Sequence, residues 1–124
     1  MVKVSELSGV ALDWAVAKCE GKNGILHDDG ITRCIVIASI YGVYKGTWKP
    51  STDPALSQPI MEREKIDCIA DPNGKDVWMG QLYATRLAGN KVIRAYGPTM
   101  LIAAMRCYVA SKFGEEIEIP KELL

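Results

Sequence analysis

YGPTMLIAAMRCYVASKFG, residues 96–114, is the stretch whose reading decides the fold. Leu101, Ile102, Met105, Val109 and Phe113 fall on one face at helical spacing. Ala103 and Ala104 are small enough to let another element approach closely. Gly97 or Thr99 can serve as N-cap, Pro98 suits a first turn, and Gly114 supplies the stop. The stretch therefore predicts a well-capped core helix.

Upstream, residues 91–96 (KVIRAY) and 77–85 (VWMGQLYAT) read as two strands joined by a turn at Gly89-Asn90, which makes a hairpin. DPNGK, residues 71–75, is a turn signal. Residues 60–66 read as a short helix starting at Pro59. WKPSTDPALSQP, residues 48–59, holds three prolines and reads as an ordered loop. Residues 32–47 are rich in β-branched and aromatic side chains and predict one strand, with Gly42 marking a bulge or a break. Residues 22–30 (KNGILHDDG) read as a loop. Residues 4–20 predict a first helix, capped by Ser5 or Ser8 and ended at Gly21 by a left-handed turn. At the other end, residues 117–119 read as short and extended. The order helix, strand, ordered loop, hairpin, helix predicts an α+β fold: a small antiparallel sheet with two main helices packed on one face, in one domain over residues 1–124.

Composition sets the functional classes. The 124 residues carry 15 Lys and Arg against 15 Asp and Glu, a formal net charge of zero. Binding through phosphate neutralisation needs a basic excess, so nucleic acid is not the expected partner. Zero charge also permits self-association. Cys19, Cys34, Cys68 and Cys107 are far apart, with no paired spacing, and His27 is the single histidine. No metal site and no cofactor are expected from that inventory. Cys34 and Cys107 sit in apolar stretches and read as small core residues. No leader and no apolar run long enough to span a bilayer is visible, which predicts a cytosolic protein.

Catalytic motifs are missing. No nucleophile elbow surrounds a serine, and His27 lies in a polar stretch. Glu62, Glu64 and Asp67 read as a solvated face. The expectation is a protein that is not an enzyme. Binding chemistry is better supplied. Trp48, Trp78, Tyr41, Tyr44, Tyr83 and Tyr96 offer flat surfaces, and Trp48 adjoins the polar run Ser51, Thr52, Asp53. The start of the last helix carries free N–H groups and the positive dipole end, which favour an anion. Arg63 and Arg106 can add charge-assisted contacts to phosphate.

Two segments, STDPALSQPIMEREKI (51–66) and GPTMLIAAMRCYVASKFG (97–114), together with VSELSGVALDWAVAKCEG (4–21), resemble the NinX family of lambdoid phages and prophages. Members often carry a tryptophan near position 54, where this chain has Pro54. The resemblance implies a phage accessory protein working in the host cytoplasm, and it carries no enzymatic activity across. In that setting the residue inventory suggests a sponge: a homo-oligomeric, non-catalytic protein that sequesters a small nucleotide-derived immune signal of the host, a cyclic ADP-ribose isomer or a cyclic dinucleotide. Its expected ligand contacts are Trp48, Ser51, Thr52, Asp53, Arg63, Tyr96, Gly97, Thr99 and Arg106, with the 48–53 loop facing the helix start. The alternative is an interaction module that inhibits or redirects a host protein or assists phage recombination.

Overall fold

The computed structural model describes residues 1–39, 42–74, 77–86 and 89–124. The chain runs β1 (Val2–Lys3), a 3-10 turn (Val4–Glu6), α1 (Gly9–Cys19), β2 (Asn23–Asp28), β3 (Arg33–Ser39), β4 (Gly42–Trp48), α2 (Pro54–Glu64), β5 (Asp67–Ala70), β6 (Trp78–Arg86), β7 (Gly89–Gly97), α3 (Met100–Phe113), β8 (Glu116–Ile117) and a closing 3-10 turn (Lys121–Leu123). The fold is α+β. The single expected sheet is replaced by two three-stranded antiparallel meanders, β2-β3-β4 and β5-β6-β7, and a two-stranded ribbon, β1-β8.

The extra strands come from stretches that read as loops or as one long strand. Residues 23–28 are polar, yet Gly24 and Leu26 alternate inward while Ile25 and His27 face out. Gly24 pairs with Ile37 and leaves room for Ala17 and Trp14 of α1 above it. The expected strand over residues 32–47 is instead two antiparallel strands, β3 ending at Ser39 and β4 beginning at Gly42. The bulge lies elsewhere, where the register shifts between Val36 and Ala38. Ile40 and Tyr41 lie outside the described residues. Gly89 and Asn90, expected to turn, instead pair with Arg86 and Thr85 within the hairpin; residues 87–88, and Lys75 of the 71–75 turn, are outside the described residues.

α2 begins six residues before the expected start. Asp53 caps it, its carboxylate accepting from Ala55 N at 3.0 Å, and Pro54 takes the first helical position. Pro59 sits inside this helix, at the cost of one backbone hydrogen bond. α1 is shorter than expected. Residues 4–6 form a 3-10 turn, and Ser8 occupies the N-cap position without a side-chain cap bond.

α3 keeps its predicted cap and stop, but its buried face is Ala103, Ala104, Met105, Cys107, Tyr108 and Val109, with Leu101 and Ile102 only half-buried and Phe113 exposed. Thr99 is the N-cap, its Oγ1 accepting from Ile102 N at 3.2 Å, and Gly114 ends the helix at φ 85°. The helix lies directly on β6 and β7 because those strands offer glycines. A Cβ on Gly80 would stand 2.7 Å from the Ala103 carbonyl oxygen, and one on Gly97 would stand 2.9 Å from Ala103 N. One apolar core joins the halves: Leu12, Val16 and Ile35 from the first meet Leu82, Met105, Tyr108 and Val109 from the second. Cys107 belongs to this core, whereas Cys34 is only partly buried. Among the described residues no helix is long and apolar enough to cross a membrane.

Candidate functional site

A groove of about 710 Å³ lies between the β7 edge, α3 and the N-terminal segment. Pairing of β1 with β8 (Val2 with Ile117, Lys3 with Glu116) holds that segment in place. The groove is lined by Lys3, Ser5, Arg94, Tyr96, Gly97 and Arg106, with Glu115 and Glu116 at one margin. Tyr96 is 47% exposed, with its ring open to solvent.

Arg106 projects from α3. Its Nε donates to the Leu7 carbonyl at 2.8 Å and its Nη1 to the Tyr96 carbonyl at 2.8 Å. It thus ties the 3-10 turn, β7 and α3 together through neutral partners. Burial holds its pKa below the ordinary arginine value. Arg94 donates from Nε to Gln81 Oε1 at 3.0 Å. Among the described residues, none of the ion pairs engages Lys3, Arg94 or Arg106. The groove therefore presents three cations with no direct carboxylate partner and one open aromatic ring. That combination suits an anionic ligand with a flat ring.

The structure brings Tyr96, Gly97 and Arg106 together and places the other six expected contacts elsewhere. Trp48 is buried, its indole Nε1 donating to the Asp13 carbonyl at 3.0 Å. Ser51 is buried too, its N–H donating to Asp13 Oδ1 at 2.9 Å. The 48–53 loop is thus sewn onto α1 and does not form the opposite wall of the groove. Polar residues in a Pro-rich run read as a binding loop because the buried carboxylate that Ser51 satisfies lies 38 residues away. Burial pushes the Asp13 carboxyl up to about 6, against the lowering effect of the Ser51 hydrogen bonds and Lys49. Asp53 caps α2, and Thr52 is exposed beside it. Thr99 uses its hydroxyl on Ile102 N and does not line the groove.

Arg63 is occupied by a network between the helices. Its Nη1 and Nη2 grip Glu20 at 3.1 and 2.6 Å, Nη2 also donates to the Tyr108 hydroxyl at 3.1 Å, and Nε donates to Glu64 at 3.1 Å. Tyr108, fully buried, donates its hydroxyl to Glu20 as well. Burial pushes Glu20 up, but the Arg63 and Tyr108 donors outweigh it and hold the carboxyl below its ordinary value. This network locks α1, α2 and α3 together.

Lys3, Ser5 and Arg94 were not legible as site residues. Ser5 reads as a possible cap of the first helix, Lys3 lies just before that helix, and Arg94 lies within the 91–96 strand. Only the ribbon pairing and the hairpin register bring them to one place.

A small α+β protein with a cationic groove carrying an open tyrosine is the class that fold and site define. The profile of the phage family described as Bacteriophage P22, NinX matches residues 3–112. The chain belongs to this NinX family, as the three quoted segments imply. No curated protein matches the chain.

Proposed function

We propose that this phage protein is a non-catalytic sponge that binds and sequesters a nucleotide-derived immune signal in the host cytoplasm, a cyclic ADP-ribose isomer or a cyclic dinucleotide. The observation that carries the proposal is the convergence of the exposed Tyr96 ring with Lys3, Arg94 and Arg106 on one groove of about 710 Å³. Its size is within the range of small-molecule pockets. A base stacks on the tyrosine while phosphates meet the cations. The ligand set is thereby revised to Lys3, Ser5, Arg94, Tyr96, Gly97 and Arg106.

This reading assigns the groove no catalysis. Ser5 has no histidine beside it, because His27 lies on β2 and pairs with Asp29 at 3.6 Å. Among the described residues lining the groove, none pairs a nucleophile with an adjacent base.

Thermal melting with a panel of cyclic dinucleotides and ADP-ribose isomers tests the proposal. A ligand of the proposed class raises the melting temperature by mass action and is recovered unaltered from denatured protein. Recovery in altered form identifies an enzyme instead. No shift with any member of the panel, together with stoichiometric capture of one host protein, would favour the interaction module.

A further inference from the structure

Among the described residues, the outer face of β5-β6-β7 keeps Asp67, Ile69, Tyr83, Val92, Arg94 and Tyr96 exposed. α3 occupies the other face, over Gly80 and Gly97. Side chains alternate along a strand, so the register dictates what points outward. One cross-strand row is Ile69, Met79 and Tyr96, and the next is Asp67, Gln81 and Arg94. Tyr83 and Val92 follow as the third. Ile69 is 51% exposed, Tyr83 56% and Val92 36%, which is unusual for large apolar side chains gathered on one sheet face.

The middle row is what selects an occupant. It places a carboxylate on β5, an amide on β6 and a guanidinium on β7, and Arg94 already donates to Gln81. We propose that this face is a self-association surface, on which a second copy of the chain packs sheet against sheet. A two-fold axis parallel to β6, between the two sheets, carries β5 over the β7 of the second copy while every row stays in step. Asp67 then meets Arg94 of the second copy, and Arg94 meets its Asp67. In the apolar row Ile69 meets Tyr96, and Met79 meets its own equivalent. The Ile69-Met79-Tyr96 and Asp67-Gln81-Arg94 rows are therefore each complementary to themselves under one operation, which is what a two-fold interface requires. The zero net charge of the chain opposes this association little. Aligned sheet packing at about 10 Å separation lets the side chains interdigitate. Three strands at about 4.8 Å spacing make a narrow face, so the dimer should dissociate in the micromolar range.

Sedimentation equilibrium with charge reversals tests this directly. Asp67→Arg and Arg94→Asp should each weaken the dimer about tenfold or more, since each places like charges opposite each other twice. Mixing the two variants one to one should restore association, because every pair is again opposite in sign. Ile69→Lys and Tyr83→Lys should give monomers with unchanged circular dichroism. The dimer covers Tyr96 and pairs Arg94, two of the proposed ligand contacts of the groove, so a second copy and a nucleotide compete for this face. Ile69 and Tyr83 do not line the groove, so their monomeric lysine variants should bind nucleotide at least as well as wild type, which separates this proposal from the functional one. A wild-type chain that stays monomeric to several hundred micromolar overturns the proposal. So does a dimer that all four substitutions leave unchanged, or a mixture that fails to associate better than its parts.

Discussion

Replacing Asp13 by asparagine should change how stability depends on pH, by an amount the structure sets. Asp13 is 5% exposed and receives the Ser51 N–H, while the Trp48 indole bonds its carbonyl. Burial raises its carboxyl to about 6 in the folded chain, against about 3.9 in an unfolded one. Between those values the folded state binds more protons than the unfolded state, so stability falls as pH rises. The contribution is fully present below pH ~4 and lost above ~6, and at about 1.4 kcal/mol per pH unit it amounts to about 3 kcal/mol. Asparagine keeps an oxygen for Ser51 N–H and carries no charge. Urea unfolding of both proteins from pH 4 to 7 isolates the effect, because Glu20 and Asp29, whose carboxyls are lowered, act in the opposite sense in both chains. The stability of Asp13→Asn relative to wild type should rise by about 3 kcal/mol across that range. A constant difference, or one of opposite sign, would show that the Ser51 donors outweigh burial, and the reasoning would fail.

Gly80→Ala forces a Cβ to within 2.7 Å of the Ala103 carbonyl oxygen, so α3 must shift; a loss of about 1–3 kcal/mol, read by thermal melting, is expected. Thr99→Ala removes the cap on Ile102 N and should cost about 1 kcal/mol, yet leave nucleotide affinity unchanged, because Thr99 does not line the groove; Thr99→Ser should recover most of the stability.

The best-read parts of the sequence were those where local chemistry and tertiary role agree. α3 carries its cap and stop within residues 99–114 as read, but of the expected apolar face only Met105 and Val109 are buried, because Ala103, Ala104, Cys107 and Tyr108 turn the helix toward the core and leave Phe113 exposed. The β6-β7 hairpin also follows from alternation, though Gly89 and Asn90 belong to its paired strands. The misreadings share one cause, a local signal overridden by a distant partner. Asn23, His27 and Asp28 look like loop residues, but Gly24 and Leu26 pair under α1. Three prolines in residues 48–59 hide a helix, because Asp53 supplies a cap and Pro54 fits the first turn. Trp48 and Ser51 look like ligand contacts because nothing nearby shows that their partner is Asp13. The groove was half legible. Tyr96, Gly97 and Arg106 surround the helix start, whereas Lys3 and Arg94 join them only through β1-β8 pairing and strand register.

Isothermal titration of wild type and Tyr96→Ala with cyclic dinucleotides and cyclic ADP-ribose isomers tests the central claim most directly. One ligand should bind wild type, come back unaltered, and bind Tyr96→Ala about tenfold or more weakly, as loss of one stacked base requires. Equal affinity in the two proteins, or no heat with any of these nucleotides, would contradict the claim.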